Sequence, residues 1–332
     1  MKKIAFVVGR DYQENRIFDL SNKSLNRDNC LYPFFLLKEE FKKHNYDLIT
    51  SDLINSNAAD FVLYNEMPKP FPAHIDSKKA FLMLFETDLI RKDNWDLKKH
   101  SYFKKIFTWN DKIVDGKKYI KFNFPNEVQS TPPGSQSRAG FLTSISGNKT
   151  SKHELELYSA RLRSIKWFEK NYSDDFHYYG IGWEYSFDVW FQKLFRKLKI
   201  LRFFPKNHTP SYKGVVQTKL ITLRNYKFAL CYENGRDIDG YITEKIFDCL
   251  FAGTIPIYWG AGNITKYIPA NCFIDRTQFK TDQHLYEALK KITDEEILQF
   301  QKNIELFLNS MQVVPFSNEF FAKNIVETIF NE

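Results

Sequence analysis

Between Glu233 and Gly260 the chain reads ENGRDIDGYITEKIFDCLFAGTIPIYWG. Four of its side chains, Asn234, Tyr241, Glu244 and Lys245, are suited to seating a diphosphate and the sugar attached to it. Thr243 is a good helix N-cap, Glu244 and Lys245 fall in the first turn, and Gly253 closes the helix. A helix start offers free N–H groups and a partial positive charge to an anion. Lys245 would add a full charge against a leaving pyrophosphate, Glu244 can accept from ribose hydroxyls, and Tyr241 and Asn234 suit phosphate or sugar contacts. A capped surface helix carries similar residues. Neighbours in a helix, however, point about 100° apart, so Glu244 and Lys245 do not form a stabilising pair one turn apart and favour two separate ligand roles.

The elements around this stretch supply its position. KFALCY (Lys227–Tyr232) and TIPIYW (Thr254–Trp259) read as buried strands. The unit is strand, loop, helix, strand, with its polar residues at the carboxyl end of a strand, where open α/β sheets bind ligands. Earlier in the chain IAFVV (Ile4–Val8), DFVLY (Asp60–Tyr64), AFLMLF (Ala80–Phe85) and KIFTW (Lys105–Trp109) read as further buried strands. Pro33–His44 has a proline in its first turn and an apolar stripe at helical spacing. Asn123–Arg138, rich in Pro, Ser, Asn and Gln, is the best linker. After it the alternation restarts with GFLTSISG as a strand, a long helix in HELELYSARLRSIKWFEKNY, FHYYG as a strand and a helix around Tyr212–Leu223. The expected fold class is α/β, with a lobe over 1–125, a linker over 126–137 and a second lobe over 138–332.

The chain has 332 residues, 43% hydrophobic and 17% aromatic, enough for two cores. Its net charge of +8 favours an anionic partner, although a merely basic soluble protein explains the charge equally well. No zinc-finger or RNP motif appears, so no nucleic-acid partner is expected. Cys30, Cys231, Cys249 and Cys272 lie far apart without a CxxC pair, which points to a reducing compartment. The opening KKIAFVVGR is too short for a signal peptide or membrane span, so a cytoplasmic location is expected.

YKFALCYEN…DGYITEKIFDCLFAGTIPIYWG closely resembles the signature of the α-1,3/1,4-fucosyltransferases, the family 10 glycosyltransferases. The likeness is strong over about forty residues, because aromatic–Glu–Asn, Tyr-x-Thr-Glu-Lys and Ala-Gly-x-x-Pro recur in fixed order. It extends more loosely to FLMLFETDLIRKDNW, YFKKIFTWND and GFLTSISGNK, which look like the bacterial branch. The resemblance implies the GT-B architecture of two Rossmann-like lobes with a cleft between them. It also implies inverting transfer of fucose from GDP-fucose to a glycan hydroxyl. The acceptor would be a GlcNAc- or Glc-type sugar taking an α-1,3 linkage, in surface polysaccharide or lipopolysaccharide. Asn234, Tyr241, Glu244 and Lys245 would then contact the donor. At the turn the chain departs from the pattern: Gly235 stands where many relatives carry Ser or Thr, and Gly240 where vertebrate members carry Asp.

Inverting transfer needs a base to take the acceptor's proton. The family uses a Glu at the end of a first-lobe strand, and Glu86 in FLMLFETD occupies such a place, ahead of Asp88 and Glu66. Lys213, then Lys219, are candidates for a further cation at the pyrophosphate, against the simpler reading of solvated helix lysines. Asp237–Asp239 spells a DxD pattern but sits in a turn, and no essential metal or other cofactor is expected. Arg161 and Arg163 read as surface residues of the long helix. Trp190–Lys206 is basic and amphipathic, fit either to face a core or to dock on an anionic membrane on the cytoplasmic side. The same scaffold using another nucleotide sugar, or a silent glycan- or nucleotide-binding protein, are the competing readings.

Overall fold

The computed structural model describes residues 1–129, 138–185, 191, 192, 194, 197, 200–204, 206 and 209–331. Residues 130–137 of the expected linker and much of Trp190–Lys206 lie outside the described residues. Along the described chain the main elements are β1 (Lys2–Val7), α1 (Tyr32–Lys43), β2 (Tyr46–Thr50), β3 (Phe61–Asn65), β4 (Ala80–Leu84), α2 (Leu97–His100), β5 (Lys105–Thr108) and β6 (Tyr119–Lys121). They continue with β7 (Gly140–Ile145), α3 (Tyr158–Asn171), β8 (Phe176–Tyr179), α4 (Lys219–Leu223), β9 (Tyr226–Tyr232), α5 (Glu244–Phe251), β10 (Ile255–Trp259) and β11 (Ile274–Asp275). Three helices, α6 (Asp282–Lys291), α7 (Asp294–Leu308) and α8 (Asn318–Phe330), complete the chain. Among the described residues no helix is long and apolar enough to cross a membrane.

The chain divides into two compact units, both α/β. The first comprises Met1–Val128, Asp239–Glu244 and Val313–Glu332. Its sheet has the order β2-β1-β3-β4-β5-β6, every neighbouring pair parallel. Strand β4 is buried throughout, as its unbroken apolar run requires of a strand covered on both faces. The strand order reverses between β1 and β3, the kind of position at whose carboxyl ends open α/β sheets receive ligands. Helix α8 packs beside α1. Its Phe321 is buried among Phe34, Phe85 and Phe122, with ring centroids 6.2, 5.9 and 5.7 Å away.

The second unit comprises Gln129–Ile238 and Lys245–Gln312. Its sheet has the order β11-β10-β9-β7-β8, again all parallel, with the reversal between β7 and β9. Leu157, Ile165 and Phe168 at and along α3, Leu285 and Leu289 of α6, and Phe228 and Leu230 of β9 share its core. Thus two Rossmann-like units are present, as expected, but their boundaries differ from 1–125 and 138–332. Residues 239–244 and the C-terminal helix belong to the first unit. The cause is packing: α8 supplies aromatic side chains that cover the first sheet, and no local signal announces where a helix will dock.

Two local expectations also change. The helix expected around Tyr212–Leu223 is confined to Lys219–Leu223. Upstream of it the backbone pairs along β8 instead, with Tyr212 bridging Tyr178, the Lys213 N–H donating to the Tyr178 carbonyl at 3.0 Å, and the Gly180 N–H to the Gly214 carbonyl at 2.9 Å. The long helix starts at Tyr158 rather than at His153, because the residues before it are used by the end of β9. Phe321→Ala should remove the keystone of the α8 contact and lower the unfolding free energy by about 3–5 kcal/mol, read as a shifted denaturant midpoint at unchanged slope.

Candidate active site

The carboxyl end of β9 lies beside the strand-order reversal of the second unit, and it is pinned from two sides. Arg161, buried on α3, donates from Nη2 to the carbonyls of Tyr232 and Glu233 at 2.6 and 3.0 Å. Burial pulls its guanidinium below the usual arginine range. The Leu157 N–H donates to the Asn234 carbonyl at 2.9 Å and the Arg236 N–H to the Leu155 carbonyl at 2.8 Å. On the other side the Glu233 N–H donates to the Trp259 carbonyl at 2.8 Å, and the Asp237 N–H to the Gly260 carbonyl at 2.9 Å. Arg161 is therefore not the surface residue expected of it. The signal was present: Tyr158, Arg161, Ile165 and Phe168 all face inward along one stripe of α3, so Arg161 occupies a core position.

Asn234 follows this fixed end and is half-buried. Lys245, in the first turn of α5, places its ammonium 3.2 Å from Oε2 of Glu233, whose side chain is fully buried. The sequence reading assigned Glu233 no role of its own, although a carboxylate that directly follows a buried strand is costly to bury without a partner. Helix α5 ends at Phe251, and Gly253 takes the left-handed conformation (φ 64°) that closes it. Lys213 is exposed and lies in the extended segment along β8 rather than on a helix. Lys219 forms an ion pair with Asp248 at 2.7 Å. The ring of Tyr232 extends the same strand end into a polar network: its hydroxyl accepts from Arg276 Nε at 3.0 Å and lies 3.2 Å from Ser164 Oγ, and both Ser164 and Arg276 contact Asp282.

Tyr241 and Glu244 fall in the segment that belongs to the first unit. Tyr241 is buried, its ring 4.9 Å from that of Trp109 and 5.6 Å from that of Phe124. Glu244 is half-buried. Gly240 is explained by this docking. Its φ is +82°, and a Cβ there would stand 2.2 Å from the Trp109 carbonyl oxygen. An aspartate at that position would need a different path for the segment. Asp237 and Asp239 of the DxD pattern belong to different units, and Asp237 pairs with Arg236 at 2.7 Å.

Trp109 links this segment to the end of β4, because its Nε1 donates to the Phe85 carbonyl at 2.7 Å. Glu86 follows Phe85 directly and is half-buried, while Asp88 is exposed. The Glu86 carbonyl accepts from Trp95 Nε1 at 3.0 Å and from Asn94 Nδ2 at 3.2 Å. Glu66, the third base candidate, uses Oε1 to accept from the N–H groups of Phe85 and Glu86 at 3.1 and 2.8 Å, and Oε2 to accept from Asn94. With both oxygens so engaged, Glu66 is poorly placed to take a proton from a substrate.

The fold is that of the GT-B architecture: two α/β units, each built on an all-parallel sheet. Residues 190–302, which apart from 239–244 lie within the second unit, match the family described as Glycosyltransferase family 10 (fucosyltransferase) C-term. The chain is 40% identical over 75 residues to an Alpha-(1,3)-fucosyltransferase FucT of Helicobacter pylori, covering 23% of this chain and 16% of that one. Matches to the first curated relatives span only 16–18% of those proteins' lengths. In structure, the chain resembles the crystal structure of an alpha1,3-fucosyltransferase with GDP, with a TM-score of 0.53 and 16% identity over 100% of this chain and 91% of that one. It also resembles Anabaena Alr3699/HepE in complex with UDP and glucose, with a TM-score of 0.58 and 10% identity over 100% of both chains.

Two substitutions probe this geometry. Gly240→Ala adds a side chain to a left-handed residue pressed on a backbone oxygen, and should cost at least about 2 kcal/mol, read by thermal or denaturant unfolding. Lys245→Met removes the cation beside the buried Glu233 carboxylate and should cost about 3 kcal/mol. Adding Glu233→Gln should recover much of that stability, a coupling that a double-mutant cycle measures directly.

Proposed function

We propose that this protein is an inverting glycosyltransferase that moves fucose from GDP-fucose to a hydroxyl of a glycan acceptor, with Glu86 as the general base. The observation that carries the reading is the end of β9 and the start of α5. Asn234 and Lys245 stand there in a segment that matches family 10, at the strand-order reversal where such sheets receive ligands. In this reading Glu86 takes the proton of the acceptor hydroxyl as that oxygen bonds to the anomeric carbon on the face opposite the donor phosphate. The bond to phosphate breaks and GDP leaves with the electron pair. Lys245 and the N–H groups of the first α5 turn stabilise the charge that develops. Asn234, Tyr241, Glu244 and Lys213 are assigned to the donor, with Tyr241 acting mainly through its packing on Trp109.

The cation at the leaving group is then a lysine, so transfer should need no added divalent metal. A GlcNAc- or Glc-type acceptor in surface polysaccharide or lipopolysaccharide, an α-1,3 linkage and a cytoplasmic site of action complete the proposal. The alternative is the same scaffold with another nucleotide sugar. The resemblance to a protein bound to UDP and glucose favours keeping it, because the fold alone does not select the nucleotide.

A thermal-shift panel of GDP-, UDP-, CMP- and dTDP-sugars separates the two. GDP-fucose should give the largest stabilisation, and a larger shift with a UDP-sugar would transfer the proposal to that donor. Glu86→Gln should lower transfer by roughly 10²–10⁴-fold while keeping the GDP-fucose shift. Loss of the shift as well would make Glu86 structural.

A further inference from the structure

We propose that Glu66 is a positioning residue, holding the Phe85–Glu86 peptide so that the Glu86 side chain is presented to the acceptor hydroxyl. This inference rests on the reading of Glu86 as the base. All four backbone polar groups of the dipeptide are met by side chains: both N–H groups by Glu66 Oε1, the Phe85 carbonyl by Trp109, and the Glu86 carbonyl by Asn94 and Trp95. A strand end normally hands such groups to solvent or to a neighbouring strand. Here a carboxylate, two indoles and an amide take them, which fixes the direction in which the Glu86 Cα–Cβ bond leaves the chain.

Glu66 is itself held for the task. It sits just past β3 in a left-handed conformation (φ 75°), an arrangement that costs a non-glycine residue energy and that surrounding contacts must sustain. Its backbone N–H donates to the Met83 carbonyl at 2.9 Å, tying it to β4. Asn94, fully buried, bonds Glu66 Oε2 through Nδ2, and its Oδ1 accepts from the Met67 N–H at 3.0 Å. His100 Nε2 lies 2.7 Å from the Asn94 carbonyl. Arg91 donates to the Met67 carbonyl at 2.6 Å while paired with Asp93.

The charges that bear on Glu66 are Glu86, which raises its proton affinity, and Arg91, which lowers it. Burial outweighs both, along with the hydrogen bonds from the Glu86 N–H and Asn94, and pushes the Glu66 carboxyl up to about 7. The sign follows. The folded value lies above the unfolded one, so the contribution of Glu66 to stability is complete below about 4.5 and is lost as pH rises through about 7. Over the same interval the new negative charge makes Glu86 a stronger base. Activity should therefore rise as Glu66 ionises, while stability falls.

The test begins on the unaltered protein. With ¹⁵N-labelled Phe and Glu, the Phe85 and Glu86 amide signals should move between pH 5.5 and 8.5 with a midpoint near 7, and Glu66→Gln should abolish the movement. In transfer assays Glu66→Gln should lower kcat by roughly 10- to 100-fold with the donor KM unchanged, and should erase the rise in rate near neutral pH. Glu66→Asp, which keeps the charge but shortens the reach, should keep a pH step at reduced kcat. Flat amide signals in the unaltered protein overturn the role even if every variant fails to fold. An unchanged kcat and pH profile in Glu66→Gln, with Glu86→Gln inactive, overturns the Glu66 role alone. Full transfer by Glu86→Gln removes the base reading, and the presenting role with it.

Discussion

The hold of Arg161 on the end of β9 organises the second unit. A guanidinium taken out of water is costly unless its donors are used, and here they meet the Tyr232 and Glu233 carbonyls, with the Glu233 charge close by. The contact fixes where the strand stops. It therefore also fixes where Asn234 emerges and where Glu233 meets Lys245 across the start of α5. Because the Tyr232 side chain runs on into Ser164, Arg276 and Asp282, the same strand end is anchored through its backbone and through its side chain.

The first unit solves the matching problem with the opposite charge. At the end of β9 the groups to be held are carbonyls, and a cation holds them. At the end of β4 they include N–H groups, and the Glu66 carboxyl holds them. Two carboxyls lie side by side there with different duties, set by environment. Both are half-buried, but Glu66 is committed to backbone donors and Asn94, whereas Glu86 follows the strand into the loop. Separation of roles between neighbouring acids by their surroundings is a recurrent device for acid–base chemistry.

Much of this was legible in the chain. Strands β1, β3, β4, β5, β7, β8, β9 and β10 declared themselves because strands covered on both faces are continuous apolar runs, and the helix start at Glu244 declared itself through Thr243 and Gly253. What escaped depends on partners distant in sequence. Helix propensity over Tyr212–Leu223 lost to backbone pairing with β8. The return of α8 to the first unit reflects aromatic packing that no window of sequence contains. The role of Glu66 rests on contacts with residues 19 to 28 positions away. Arg161 is the exception, since its place on the apolar stripe of α3 was readable and was set aside because the residue is charged.

The stretch from Asn234 to Lys245 shows why a short motif and a fold carry different information. The fold is shared with proteins bound to GDP and to UDP, so it leaves the donor open. The motif is local in sequence but not in structure: Asn234 and Lys245 belong to one unit, Tyr241 and Glu244 to the other. Gly240 is the residue that allows this, since only a backbone without Cβ can lie against the Trp109 carbonyl at that φ. A substitution at Tyr241 or Gly240 therefore acts on the packing around Trp109, and through the Trp109–Phe85 bond on the peptide that carries Glu86. In the proposed reading, kinetic effects at those two positions bear on Glu86 as much as on the donor. Asn234 and Lys245, both in the second unit, are the proposed donor residues that lie outside that packing.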